Sequence, residues 1–282
     1  MGVDRVLGCR NRVRASVAAC LLLGGAALVP PTHAADPAPA APASETGAPQ
    51  GRTVQVGTLH WPPYTARELP RGGAVTAVVR AAFAQQGYRV DVQVWPWKRA
   101  IAKAKADSNG VAGYFPGYHC HHDPDADFVR SQPLGTSPLG FAEHRDAPHS
   151  WQSLSDLQDL RIGTVVGYAN SEAFDRAVAE NQLNVVTATD DLENLYRLLQ
   201  HRIDLAVVDK VVLAYLEQAD PTLRAHADEL QFDARTLKTT ELFICFRDDA
   251  RGARLRELFN RGLDKLDAQG MLDRYVDRMV QG

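Results

Sequence analysis

From Thr53 onward the chain alternates between two hydrophobic patterns. Short apolar, β-branched runs give way to segments in which apolar residues recur every three or four positions. These are the marks of buried strands and of amphipathic helices. Val54, Val56 and Leu59 belong to a first strand, stopped abruptly by Trp61-Pro62-Pro63-Tyr64. Gly72-Gly73 leads into a helix with Val75, Val78, Val79, Ala82 and Phe83 on one face and Gly87 as its stop. A strand over Tyr88 to Val94 follows. Trp95 to Arg99 then opens a helix running through Ala106, with Pro96 near the first turn, where its missing N–H costs little. After Asn109-Gly110 comes a strand from Val111 to Phe115.

The alternation lapses over residues 116–138, which hold four prolines and three histidines without sustained periodicity. This stretch reads as a crossover into a second body. There the pattern resumes, with strands at Leu160 to Val166, Asn184 to Ala188 and Ile203 to Val208, and helices at Asn170 to Glu180 and Asp190 to Leu199. Beyond Asp209 a short helix to Glu217 precedes two β-like runs, Glu229 to Phe232 and Glu241 to Phe246, and a terminal helical segment broken at Gly270. Strand and helix in turn predict an α/β protein whose sheets are mostly parallel, with flanking helices. Leu255, Leu258, Phe259, Leu263 and Leu266 form an apolar stripe on the terminal segment that must be buried. Docking it on the first body makes Glu241 to Phe246 a returning crossover. The expected organisation is then lobe 1 over residues 52–130 and 246–282 and lobe 2 over 136–240. Hinges lie near 128–136 and 241–246, an arrangement that permits closure around a ligand.

Composition adds a destination. At 282 residues and 45% hydrophobic content the chain is long enough for two compact bodies. The first 34 residues differ: Arg5, Arg10, Arg12 and Arg14 precede an apolar run from Ala15 to Val29, followed by Thr32-His33-Ala34. This reads as a secretory signal peptide and places the mature protein in the periplasm. Val17-Ala18-Ala19-Cys20 loosely resembles a lipoprotein box, but most of the apolar run follows Cys20 instead of preceding it. Residues 35–51 are rich in Pro and Ala and have no large apolar side chain, as expected of a disordered linker. Cleavage removes four of 31 Lys and Arg and one of 34 Asp and Glu, leaving 27 against 33, a net charge of −6. A nucleic-acid partner is therefore not expected, and the protein is expected to be a monomer. Cys120 and Cys245 survive into an oxidising compartment, where a disulfide requires their Cα atoms to lie within about 7 Å.

In open α/β sheets small ligands sit beyond the strand C-termini, which is where Trp61 and Tyr64 fall. Two prolines hold these aromatics in a stiff turn, so little ordering entropy is lost when a solute packs on them. Trp61 as a plug of its own lobe is the alternative. His119-Cys120-His121-His122-Asp123 has residue types that suit zinc or copper. Its spacing matches no closed site, so His119, His121 and His122 are at most candidate ligands, and neither a bound metal nor a cofactor is expected. Motifs for a nucleophile elbow, a phosphate loop or a zinc protease are missing from the sequence.

The strand ending in Trp61-Pro62-Pro63-Tyr64, the segment Pro96 to Ala100, Gly113, Phe128 to Pro133, Ile162 to Tyr168, Ile203-Asp204 through Asp209 and the closing Leu266 to Gly270 together resemble the family-3 bacterial extracellular solute-binding proteins. These are the polar amino acid receptors of ABC importers. The resemblance covers about Thr53 to Val280. It implies a two-lobed type II periplasmic-binding fold, a small-molecule ligand clamped between the lobes and a permease partner in the inner membrane. It also implies ligand-facing roles for Trp61 and Trp97, for Gly113 with Tyr114 beside it, for the turn Gly167, Tyr168, Ala169 and Asn170 at a helix N-terminus, and for Asp209 as partner of a ligand ammonium. An acid just past a strand is also a common helix cap. One departure stands out. The family clamps an α-carboxylate with an arginine where this chain has His121-His122-Asp123-Pro124, and Arg130 falls where the family has an apolar residue. Two other functions stay open: a metal- or cofactor-delivery protein for an exported enzyme, and a periplasmic lyase using Asp209, His60 or Asp123 as its acid or base.

Overall fold

A computed structural model describes residues 52–120 and 128–280. The proposed signal peptide, the linker, His121, His122 and Asp123 lie outside the described residues. No helix among the described residues is long and apolar enough to cross a membrane.

In the first sheet β1 (Arg52–Thr58) pairs in parallel with β2 (Tyr88–Val94) on one side and β3 (Val111–Gly117) on the other. Alternation along β1 puts Val54 and Val56 into the core, opposite Val90 and Val92 of β2. The connecting helices are α1 (Ala74–Ala84) and α2 (Trp97–Lys105). α1 buries Val75, Val78, Val79, Ala82 and Phe83, the face its 3.6-residue period predicts.

Past the crossover lie β4 (Phe128–Arg130), β5 (Gly135–His144), β6 (Arg161–Val165), α3 (Glu172–Ala179), β7 (Asn184–Ala188), α4 (Asp191–Leu199) and β8 (Leu205–Asp209). β6 pairs in parallel with β7 and β8, and β5 pairs antiparallel with β8. Leu139, Phe141, Leu157, Ile162, Phe174, Leu205 and Val207 form the core of this second body. The chain continues through α5 (Lys210–Ala219), α6 (Pro221–Ala225), β9 (Leu230–Phe232), β10 (Lys238–Arg247), α7 (Ala250–Leu263) and α8 (Ala268–Val280).

β10 joins the two sheets. Its first half, Lys238 to Leu242, is antiparallel to β5, and its second half, Phe243 to Arg247, is antiparallel to β3 and β4. The strand order is therefore β2-β1-β3-β10-β5-β8-β6-β7. The irregular reading of residues 116–138 was too broad, since β3 runs to Gly117 and β4 and β5 are strands. Their partner lies over a hundred residues downstream, so no local period announces them.

α7 packs against α1, with Phe259 5.1 Å from Phe83 between ring centroids. α8 contacts α1, α5 and β5. The Tyr275 hydroxyl donates to the Pro70 carbonyl at 2.7 Å, and Gln269 Oε1 accepts from the Thr136 amide at 3.0 Å. The helical segment breaks at residues 264–267 and not at Gly270, whose amide donates to the Asp267 carboxylate that opens α8.

Cys120 and Cys245 are disulfide-bonded, with Cα atoms 5.2 Å apart and 125 residues between them in sequence. The bond ties the segment after β3 to β10. Closing so long a loop removes entropy from the unfolded chain. Replacing both cysteines with serine is expected to lower stability by about 2–5 kcal/mol and the melting temperature by roughly 5–15 °C, read by calorimetry. The wild type in reductant should follow the double variant.

Candidate functional site

The turn after β1 is closed by its own backbone. Trp61 and Thr65 exchange hydrogen bonds of 2.6 and 2.9 Å around Pro62-Pro63, and the Thr65 hydroxyl donates to the Leu59 carbonyl at 2.8 Å. The turn stacks Trp61 on Tyr64, ring centroids 4.5 Å apart and planes 30° apart. Tyr64 is wholly buried. Trp61 is 6% exposed, and its indole N–H has no hydrogen-bond partner.

Trp61 borders a small, open-mouthed cleft lined also by Leu59, Trp97, Pro116, Tyr118, Tyr168 and Ala169. Trp97 comes from the first turn of α2 and Tyr168 and Ala169 from the turn between β6 and α3, so both bodies contribute walls. The cleft continues outward past His60, Trp95, Lys98, Val166, Thr189 and Asp190. Gly167, with φ of +83°, lies under the Lys98 side chain, and a Cβ there would come within 2.8 Å of Lys98 Cε. The backbone angle disfavours any side chain there, while the contact alone would be relieved by moving Lys98.

Not every residue singled out by the resemblance borders this space. Gly113 lies against β10, where a Cβ would sit 2.4 Å from the Cys245 carbonyl oxygen, so its small size serves strand packing. Tyr114 is fully buried edge-on to Trp97 and Phe128 at 5.3 and 4.9 Å and backs the wall instead of lining it. Asn170 accommodates its own turn: its amide and side chain donate to Asp175 at 3.0 and 2.9 Å. Arg130 lies over the Phe243 ring at 5.2 Å. No arginine is among the described residues lining the cleft, and the sequence of residues 121–127 contains none.

Asp209 is 1% exposed and caps α5, accepting from the Val211 and Val212 amides at 2.7 and 3.0 Å. Tyr64 donates to both its oxygens at 3.2 Å, and Ser137 donates to Oδ2. Since Ser137 donates to Asp209, it accepts from Tyr118 at 2.7 Å. The carboxylate is thus held by hydroxyls from both bodies. Burial pushes its pKa up to about 6, opposed by these hydrogen bonds. A second acid, Asp191, starts α4 and accepts from the Tyr168 hydroxyl at 3.3 Å. Burial pushes its pKa up to about 7; the Tyr168 bond opposes this and the charge on Asp209 adds to it.

Tyr118, Pro116, Ser137 and Asp191 were not foreseen in the sequence. Tyr118 and Pro116 lie at the C-terminal end of β3, the same topological position that drew attention to Trp61. That signal was available and was masked by the apparent irregularity after Phe115. Among the described residues no group of three or more His, Cys, Asp or Glu is arranged to hold a metal. Of the candidate metal ligands only His119 is described, and Cys120 beside it is committed to the disulfide.

No family model matches the chain, and no curated protein matches it. Solved structures do. The ligand-binding core of GluR0 from Nostoc punctiforme, in complex with L-glutamate, superposes with a TM-score of 0.64 at 18% identity, covering 81% of this chain and all of that one. An amino acid ABC transporter substrate-binding protein from Streptococcus pneumoniae, bound to L-arginine, gives 0.62 at 13% identity over 81% and 94%. An ancestral amino acid-binding protein described as a precursor of cyclohexadienyl dehydratase gives 0.60 at 17% identity over 81% and 95%. The chain therefore has the two-lobed type II periplasmic-binding fold that the resemblance implied.

The raised pKa values carry a pH signature. Asp191 binds its proton more tightly folded than unfolded, so its contribution to stability is greatest in acid and is lost as pH rises from about 4 to about 7. Asp191→Asn removes that cost. It is expected to raise stability by about 1–3 kcal/mol at pH 8 and by much less at pH 5, measured as paired thermal melts.

Proposed function

We propose that this protein is a periplasmic solute-binding module that captures a small polar solute between its lobes. The observation that carries this reading is the aromatic cleft whose walls come from both bodies, at the strand ends where ligands of α/β sheets sit. Residues 52–130 with 246–282 form one jaw and 136–240 the other. They close by bending near 128–136 and 241–246, where the β4–β5 connection and β10 pass between them. Tyr64 against Asp209 and Lys98 against Gly167 hold the jaws together, and the solute enters when these contacts part. The solute-bound form is then presented, as a monomer, to an ABC permease in the inner membrane. Binding proteins among the similar folds support solute capture. The permease and the periplasmic address rest on the sequence resemblance and the signal-like first 34 residues.

A lyase is the second reading, and Asp191 favours it specifically. A carboxyl titrating near 7 beside a cleft is suited to moving a proton, and one similar fold is named as the precursor of a dehydratase.

A thermal-shift screen of the mature protein against a solute library tests capture. A true ligand at 100 times its Kd stabilises by about 2.7 kcal/mol. Trp61→Ala is expected to remove that shift while its far-UV circular dichroism matches the wild type. Hits that shift Trp61→Ala equally would place the solute elsewhere, and disappearance of a hit on incubation would favour the lyase.

A further inference from the structure

We propose that the captured solute is a quaternary ammonium compound with a short oxygen-bearing arm, choline being the simplest example. This rests on the reading of the cleft as a solute site and specifies its chemistry.

Four rings, Trp61, Trp97, Tyr118 and Tyr168, line the inner cleft, and its remaining walls, Leu59, Pro116 and Ala169, carry no charge. The faces of aromatic rings attract cations, most strongly where water is excluded. Two of these rings are tied to buried carboxylates: Tyr168 donates to Asp191, and Tyr118 donates through Ser137 to Asp209. Tyr64, stacked under Trp61, also donates to Asp209. A phenol that donates to an ionised carboxylate gains electron density in its ring, so Asp209, joined by Asp191 as pH rises above about 7, places negative potential on the cleft wall without facing it.

The same bonds determine which cation fits. Asp209 already receives two backbone amides, a serine and a tyrosine. A primary ammonium or guanidinium would bring N–H donors to a mostly aromatic wall where Asp209 is already fully engaged, and an unmet buried donor is expensive. A quaternary ammonium has no N–H to satisfy. A free amino acid also needs a counter-charge for its carboxylate, and among the described residues the inner cleft has none, Lys98 lying only in the outward extension.

The arm is read from two further groups. The Trp61 indole N–H is buried without a partner, and a hydroxyl or ether oxygen on the ligand would accept from it once the jaws part and uncover it. Lys98 lines the outward extension of the cleft beside His60 and Asp190. Its charge favours an oxygen over a second cation at the far end of the solute.

The test is calorimetric titration of the mature protein with choline, tetramethylammonium, 3,3-dimethyl-1-butanol (the uncharged carbon isostere of choline) and L-glutamine, L-glutamate and L-arginine. Choline is expected to bind, and its isostere at least about tenfold more weakly, the range for a desolvated cation over aromatic faces. Tetramethylammonium, lacking the oxygen, is expected to fall between them. Tyr168→Leu should weaken choline about tenfold or more, while Tyr168→Phe, which keeps the ring, should cost less. Equal affinity for choline and its isostere would overturn the proposal. So would binding of an amino acid with no response to choline or tetramethylammonium, which would leave solute capture standing. If none of these compounds and nothing in the wider library binds, both readings fail together.

Discussion

The ten residues of β10 are hydrogen-bonded to β5 up to Leu242 and to β3 and β4 from Phe243 onward. Every backbone group in a buried strand needs a partner, so the change of partner fixes where one sheet ends and the other begins. It also fixes the cleft. The C-terminal ends of β1 and β3 on one side, and of β6 and β8 on the other, come to border the same space. A chain that reached its second sheet by a loose linker would leave those ends free of each other. Here Trp61 and Tyr168 can line one small cavity because the sheets are spliced through a shared strand.

Across that seam the strongest polar feature is Asp209. Burying a carboxylate is unfavourable unless its lone pairs are met, and this one is met by two amides of its own helix, Ser137 and Tyr64. Tyr64 belongs to the turn after β1, so a cap that would stabilise α5 in any context also records whether the jaws touch. The helix cap and the ligand-facing acid were opposed readings of Asp209 in the sequence. The geometry explains why a single residue invites both: its amide bonds are local to α5, and one of its hydroxyl partners, Tyr64, comes from across the seam.

Much of this was legible in advance because the signals are local. β2, β7, α1 and α4 follow from period and punctuation, as in Asn184 to Ala188, where the expected strand and the observed one coincide. The docking stripe on α7 was visible as Leu255, Phe259 and Leu263. What escaped depends on distant partners. β4 is three residues long and exists through pairing with β10, so no window around Phe128 reveals it. Of the residues lining the cleft, Trp61 was singled out by its position after β1 and Trp97, Tyr168 and Ala169 by the resemblance, whereas Tyr118 was hidden by its irregular surroundings. Gly113 and Tyr114 carried ligand-facing expectations from the resemblance, and the structure packs them against β10 and Trp97. Sequence alone does not tell a small residue that admits a ligand from one that admits a neighbouring strand.

α8 reaches both bodies on its own account, touching Pro70 beside α1, Thr136 at the start of β5, and α5. Any motion that parts the jaws must slide or peel this helix from one of its seats. In the capture proposed above, the balance between open and shut forms would be weighted by residues such as Tyr275 and Gln269, which do not line the cleft. Drift at those positions would retune how tightly a solute is held while leaving the choice of solute untouched, so that affinity and selectivity would evolve on separate parts of the molecule.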